Sequence, residues 1–247
     1  STEGADVAIG LTQAELQLQS RQYEQALATL LRVKKKAHNH TVVLSLLAKV
    51  YSELNDWQSL LKLMPTLRHN RLPENELDSL EQYASKSLLE KAAADGSESL
   101  QQCWKQLPVS ACKRAVIIAY YAEQLITCDD IEKAESVLRQ QLQRIYDAQL
   151  MEIYGRAIGS ACQKQLAFAQ KMLKLHSSDW QLLLTLARLS HKADLPEQAK
   201  EYYEQCIALD SRVEAYTELA ALHASQGNFK MSSELYARGT ETQLNTP

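Results

Sequence analysis

The chain has 247 residues, a net charge of −3 at pH 7, 45% hydrophobic residues, 7 Gly and 5 Pro. A slightly acidic chain is unsuited to neutralising many phosphates, so nucleic acid is not an expected partner. The longest apolar run, "AVIIAYYA" from Ala115 to Ala122, is far short of the roughly 20 residues a membrane-spanning helix needs.

Few turn-formers and ample apolar content favour helices joined by short loops. The opening "STEGADVAIG" has neither a basic n-region nor a long apolar core, and does not read as a secretory signal. Helix pairs are expected to start near Asp6, His40, Pro73, Ser110, Tyr146, Asp179 and Val213. The first two are one unit written twice: "LQSRQYEQALATLL" returns as "YSELNDWQSLLKLM", with Ala14 to Ala48 and Tyr23 to Trp57 both 34 residues apart.

The cations of "KKK", Lys34 to Lys36, suit a helix C-terminus. The following "HNH", His38 to His40, lacks a third metal ligand nearby and reads as an inter-pair loop; "NHT" at Asn39 matches a glycosylation sequon. In pair two, the second helix is expected to bend or stop near Pro65, with a connection before Pro73. Pair three has a first helix too long for the repeat, and pair five is short. The turns "LNDW", "CDDI" and "ADLPEQA" offer Asp or Asn caps, Pro196 suits a first turn, and Gly227 suits a turn needing positive φ.

A small residue in each first helix is followed 12 positions later by another: Ala14/Ala26, Ala122/Ala134, Ala157/Ala169 and Ala187/Ala199, with Ala48/Leu60 and Ala220/Ser232 as variants. Antiparallel helices that cross closely need small side chains at the crossing. Together with the recurrent "LA" and the aromatics Tyr23, Trp57 and Phe229, this pattern resembles the tetratricopeptide repeat. The resemblance implies an all-α fold: a right-handed superhelical solenoid of about seven helix pairs. The expected organisation is one continuous solenoid with N-terminal pairs over 1–72, an irregular pair over 73–109 and further pairs over 110–247.

Enzyme signatures are not found: no H-E-x-x-H, G-x-S-x-G, phosphate-binding glycine loop or dinucleotide fingerprint occurs. The 5 cysteines are odd in number and unclustered, and read as reduced, mostly buried residues. No cofactor is required on this reading.

In repeats resembling this family, first-helix positions at −3, +1 and +4 from the small residue face an extended groove. Carried onto this sequence they give Leu11, Glu15 and Leu18; Ser45, Lys49 and Ser52; Ala119, Glu123 and Ile126; and Leu184, Arg188 and His191. Glu15, Ser45, Lys49, Ser52, Glu123, Arg188 and His191 are the candidate partner-binding residues. This set lacks the clustered Lys and Asn that clamp a peptide carboxylate. His191 and His223, near the ends of first helices, are candidate haem ligands.

Four irregular segments carry a closer resemblance: "VYSELNDWQSLLKLMPTLRHNRLPENELDSLEQ", "SLQQCWKQLP", "YAEQLITCDDIEKAESVL" and "LLTLARLSHKADLPEQAKEYYEQCIAL". In this order they resemble the C-terminal region of HemY-type tetratricopeptide proteins of proteobacterial haem biosynthesis. That resemblance implies a non-catalytic scaffold at the bacterial inner membrane, on its cytoplasmic side, anchored by N-terminal helices that this chain lacks. The implied partners are haem-pathway enzymes such as ferrochelatase and porphyrinogen oxidases. A haem- or porphyrin-binding carrier is the alternative. The flavin oxidase that shares the name is excluded, because its fingerprint is missing.

Overall fold

The computed structural model describes residues 2–38 and 40–245. The sequon residue Asn39 lies outside the described residues. Among these, fifteen α-helices and no strand occur. They form two compact units, residues 1–117 and 118–247, whose boundary falls within one helix.

In the first unit, α1 (Thr2–Gln19) pairs with α2 (Tyr23–Lys36), α3 (Thr41–Glu53) with α4 (Trp57–His69), and α5 (Glu74–Ala94) with α6 (Ser97–Gln106), before the single turn α7 (Val109–Cys112). The boundary helix α8 (Ala115–Thr127) precedes α9 (Ile131–Leu142). The second unit continues with α10 (Ala148–Tyr154), α11 (Cys162–Met172), α12 (Trp180–Lys192), α13 (Pro196–Leu209), α14 (Val213–Ser225) and α15 (Phe229–Asn245). Five first helices start within two residues of the expected positions, while α1 starts four residues before Asp6 and α8 five residues after Ser110, and the long α5 and short α10 are the two irregular ones anticipated from sequence.

Five hairpin turns are closed by one recurring device. Arg21, Asn55, Asp129, Asp194 and Gly227 all adopt positive φ, between 54° and 80°. The next amide in each reaches back to the helix carbonyl five residues earlier: Gln22 to Gln17, Asp56 to Tyr51, Asp130 to Leu125, Leu195 to Ser190 and Asn228 to His223, at 2.8–2.9 Å. This Schellman closure satisfies carbonyls that a helix end otherwise orphans. Gly227 enters the left-handed region freely, while each non-glycine residue there gives up about 1 kcal/mol. Second helices then start on local signals, such as the Asp56 carboxylate accepting from the Ser59 amide at 3.1 Å, or Pro196 at the first position of α13.

The small residues spaced 12 apart are helix crossings except at Ala157, which lies in the connection after α10 rather than on a first helix, a correction to the expected pattern. Ala14, Ala26, Ala122, Ala134, Ala157, Ala169, Ala187 and Ala199 are all fully buried, as are the variant partners Leu60 and Ala220. A helix stripe around each crossing supplies the core, for example Leu183, Leu184, Ala187, Ala199, Tyr203 and Leu219 in one cluster of the second unit.

Pro65 neither stops nor divides α4, which runs unbroken from Trp57 to His69. The expectation of a stop is corrected by packing. Leu60, Leu61, Leu63 and Met64 on one side of the proline and Leu67 on the other are all buried, which anchors both halves, while Pro65 itself faces solvent. The lost backbone hydrogen bond is the cost that this burial offsets.

Candidate functional site

A partner surface must combine apolar area with free polar groups. Among the places in the first unit that do so is a groove between α3 and α5 of about 320 Å³. From α3 come Ser45, Lys49, Ser52 and Glu53; from the start of α5 come Glu76, Leu77 and Leu80, with Leu72 and Pro73 at its entry. Ala48 and Leu67 close the floor. Three of the residues proposed from the offset rule, Ser45, Lys49 and Ser52, therefore line one groove. Lys49 is exposed and makes no ion pair among the described residues, whereas the Ser52 hydroxyl donates to the Ala48 carbonyl at 2.9 Å. The wall contributed by α5 was missed from sequence, where Pro73 was read as the start of the third helix pair but no residue of that pair was assigned to a groove.

An ion cluster beneath α5 fixes that wall. Glu81 is fully buried and accepts from Arg68 through both carboxylate oxygens at 3.0 Å and from the Ser110 hydroxyl at 2.8 Å. Arg114 approaches Glu81 at 3.7 Å and pairs with Asp78, which also accepts from Arg68 at 3.0 Å. Burial alone pushes the Glu81 carboxyl up, but the Arg68 and Ser110 hydrogen bonds and the two guanidinium charges outweigh it and hold it below the usual carboxylate range. Asp78 is held low chiefly by Arg114. The cluster ties α4, α5 and α7 together.

The second unit treats its first helices differently. Glu123 on α8 pairs with Arg156 at 3.0 Å; Arg156 pairs with Glu152 on α10 at 3.2 Å; Arg188 on α12 pairs with Glu152 at 3.1 Å and with Glu218 on α14 at 2.8 Å. The result is a ladder of alternating charge across four consecutive first helices. Two proposed residues, Glu123 and Arg188, belong to it. Burial by itself lowers the Arg188 guanidinium, and the carboxylates of Glu218 and Glu152 more than restore its proton affinity, so it stays charged. The Tyr203 hydroxyl donates to Glu218 at 3.0 Å, and burial followed by that carboxylate pushes its phenol up. Glu152, Arg156 and Glu218 were not found from sequence, because Arg156 lies in the turn after α10 and the helices alone carry no regular alternation of charge.

Of the other groove positions, Leu18, Ala119 and Leu184 are buried in the core, so these three do not present side chains to a partner, a correction to the offset rule. Glu15 and His191 are exposed, while Leu11 and Ile126 are half-buried. His223 is half-buried, and its Nδ1 is enclosed without a hydrogen-bond partner. Among the described residues no group of three or more His, Cys, Asp or Glu is placed to hold a metal, and no helix is long and apolar enough to cross a membrane.

Hairpins with these crossings and turns define a tetratricopeptide-type array, and the tetratricopeptide repeat model matches residues 181–212, which cover α12 and α13. The chain is similar to protein HemY of Escherichia coli K12 and of Shigella flexneri, 29% identical over 147 residues in each case, which is 59% of this chain. The matched part spans 37% of the length of those curated relatives. Among solved structures it resembles the C-terminal part of a TPR repeat-containing protein from Cytophaga hutchinsonii, with a TM-score of 0.50 at 15% identity, covering 96% of both chains. That likeness bears on the fold alone.

Proposed function

We propose that this chain is a non-catalytic interaction module of late haem or porphyrin biosynthesis that gathers pathway enzymes at the inner membrane. The similarity to HemY carries the pathway assignment. The groove of the first unit supports the binding half of the reading, because its apolar floor and mixed-charge rim of Lys49, Glu53 and Glu76 suit an apolar anchor on a partner protein. Its volume admits one or two large side chains. Function would come from effective concentration: enzymes held together pass on a reactive, poorly soluble porphyrin before it escapes.

The test is binding of purified ferrochelatase and porphyrinogen oxidases to the chain and to its Leu80→Glu variant. Saturable binding by one of these enzymes that Leu80→Glu weakens at least about tenfold supports the module. If none binds, and titrated protoporphyrin instead shows a Soret shift that His191→Ala or His223→Ala removes, a porphyrin carrier replaces it. If neither occurs, the pathway assignment fails.

A further inference from the structure

Three successive loops of the second unit, 143–147, 173–179 and 210–212, each join the second helix of one pair to the first helix of the next. Two of them carry the same run of a cation, an aliphatic residue and an aromatic ring: Arg144, Ile145 and Tyr146 in one, Lys174, Leu175 and His176 in the other. The two rings stack, with 3.6 Å between centroids and 10° between planes, and the Tyr146 hydroxyl donates to Asp179. Arg212 of the third loop lies over the Trp180 ring, 4.3 Å from its centroid. Stacking thus ties the loops in series into one edge.

That edge holds aliphatic side chains out in water. Ile145 is 68% exposed and Leu175 is 85% exposed, while Leu209, where α13 meets the third loop, is 51% exposed. Cations flank the first two tips. Arg144, Lys174 and, in the last turn of α11, Lys171 are exposed and make no ion pair among the described residues. The carboxylates of the same two loops are engaged at helix starts, where backbone amides offset their charge: Asp147 accepts from the Leu150 amide and Asp179 from the Gln181 amide, both at 2.9 Å. In the third loop Glu214 stands 3.8 Å from Arg212, so the uncompensated cations belong to the first two.

We propose that this edge is a docking surface for an anionic lipid bilayer. Each cation precedes its aliphatic residue on the way out of the helix, so the aliphatic atoms lead and the charges follow. A bilayer interface is layered in the same order, with acyl chains beneath a sheet of phosphates. Docking takes two aliphatic side chains out of water and supplies the counter-charge that the chain itself does not. Mobile headgroups need no matching cleft, which suits tips that project from loops. The contact rests neither on the pathway assignment nor on the groove of the first unit.

The test is co-sedimentation of the 247-residue chain with vesicles of phosphatidylcholine alone and of equal parts phosphatidylcholine and phosphatidylglycerol. Binding is expected to the vesicles that contain phosphatidylglycerol, with release at high salt. Ile145→Ser/Leu175→Ser should weaken it at least about tenfold, and Arg144→Gln/Lys171→Gln/Lys174→Gln about a hundredfold. Circular dichroism checks that each variant keeps its helices, and Leu175→Ser alone replaces the double change where it does not. No binding, equal binding to both kinds of vesicle, or either variant binding like the wild type would each overturn the proposal. If the vesicles are ignored while polyglutamate binds and the triple variant loses it, the edge faces an acidic protein and the lipid assignment falls.

Discussion

Replacing Glu81 with Gln keeps its shape and removes its charge. The carboxylate is buried, accepts hydrogen bonds from Arg68 and Ser110, and has the Arg114 guanidinium 3.7 Å away. Breaking a buried ion pair by removing one partner costs about 3–5 kcal/mol. Arg68 keeps Glu74 and Asp78, and Arg114 keeps Asp78, so the lower end applies, about 3 kcal/mol. In a unit of this size that corresponds to a fall in Tm of roughly 10 °C. Urea denaturation followed by helical circular dichroism would read the loss, and hydrogen exchange should show extra opening in α5 and α7 but not in α12 to α15. Because α5 forms one wall of the groove, partner binding should weaken as well. A change below about 0.5 kcal/mol, the usual range for a surface substitution, would refute the view that this cluster holds the third pair in place.

The same carboxylates make a pH prediction. The folded pKa values of Glu81 and Asp78 lie below their unfolded ones, so their contribution is fully present above the unfolded carboxylate range and is lost as pH falls through the folded values. The acid limb of stability should be shallower in Glu81→Gln than in the wild type. Enlarging a crossing, as in Ala187→Leu, overpacks a fully buried site and should cost about 1–3 kcal/mol or more by urea denaturation. Burial pushes the Cys206 thiol up to about 12, so maleimide at pH 8 should label Cys206 only at the rate of unfolding, while half-buried Cys128 and Cys162 react first.

The hairpins were legible because both of their determinants are local. A crossing needs a small residue on each helix, and two helices of fixed length joined by a tight turn place them 12 apart, as at Ala14 and Ala26 or Ala187 and Ala199. Turn residues announced themselves at Asn55, Asp129, Asp194 and Gly227, types that tolerate positive φ, whereas Arg21 did not, because nothing in its chemistry favours that region. Pro65 misled because propensity is decided by tertiary burial once five leucine and methionine side chains flank it. The short helix α7 was invisible, since a single turn carries no periodicity. At the surface, the offset rule located Ser45, Lys49 and Ser52 on a groove, but charge satisfaction depends on which side chain the neighbouring helix supplies, and single-helix spacing does not encode it.

That distinction separates two residues the offset rule treats alike. Lys49 and Arg188 occupy the same position relative to their small residues, yet Lys49 is exposed and Arg188 keeps only 12% of its side chain accessible between Glu152 and Glu218. Lys49→Glu should leave the denaturation midpoint within about 0.5 kcal/mol of wild type, the ordinary range for an exposed residue, while weakening capture of a partner in the groove. Arg188→Glu removes two ion pairs and sets three carboxylates together, with an expected loss of about 3–5 kcal/mol. Its effect on binding should then track the fraction unfolded, and Arg188→Met, which removes the charge without reversing it, should lose less. If Lys49→Glu left binding untouched while Arg188→Met abolished it in a fully folded protein, the partner would sit on the charge ladder of the second unit, and the groove between α3 and α5 would be only a feature of packing.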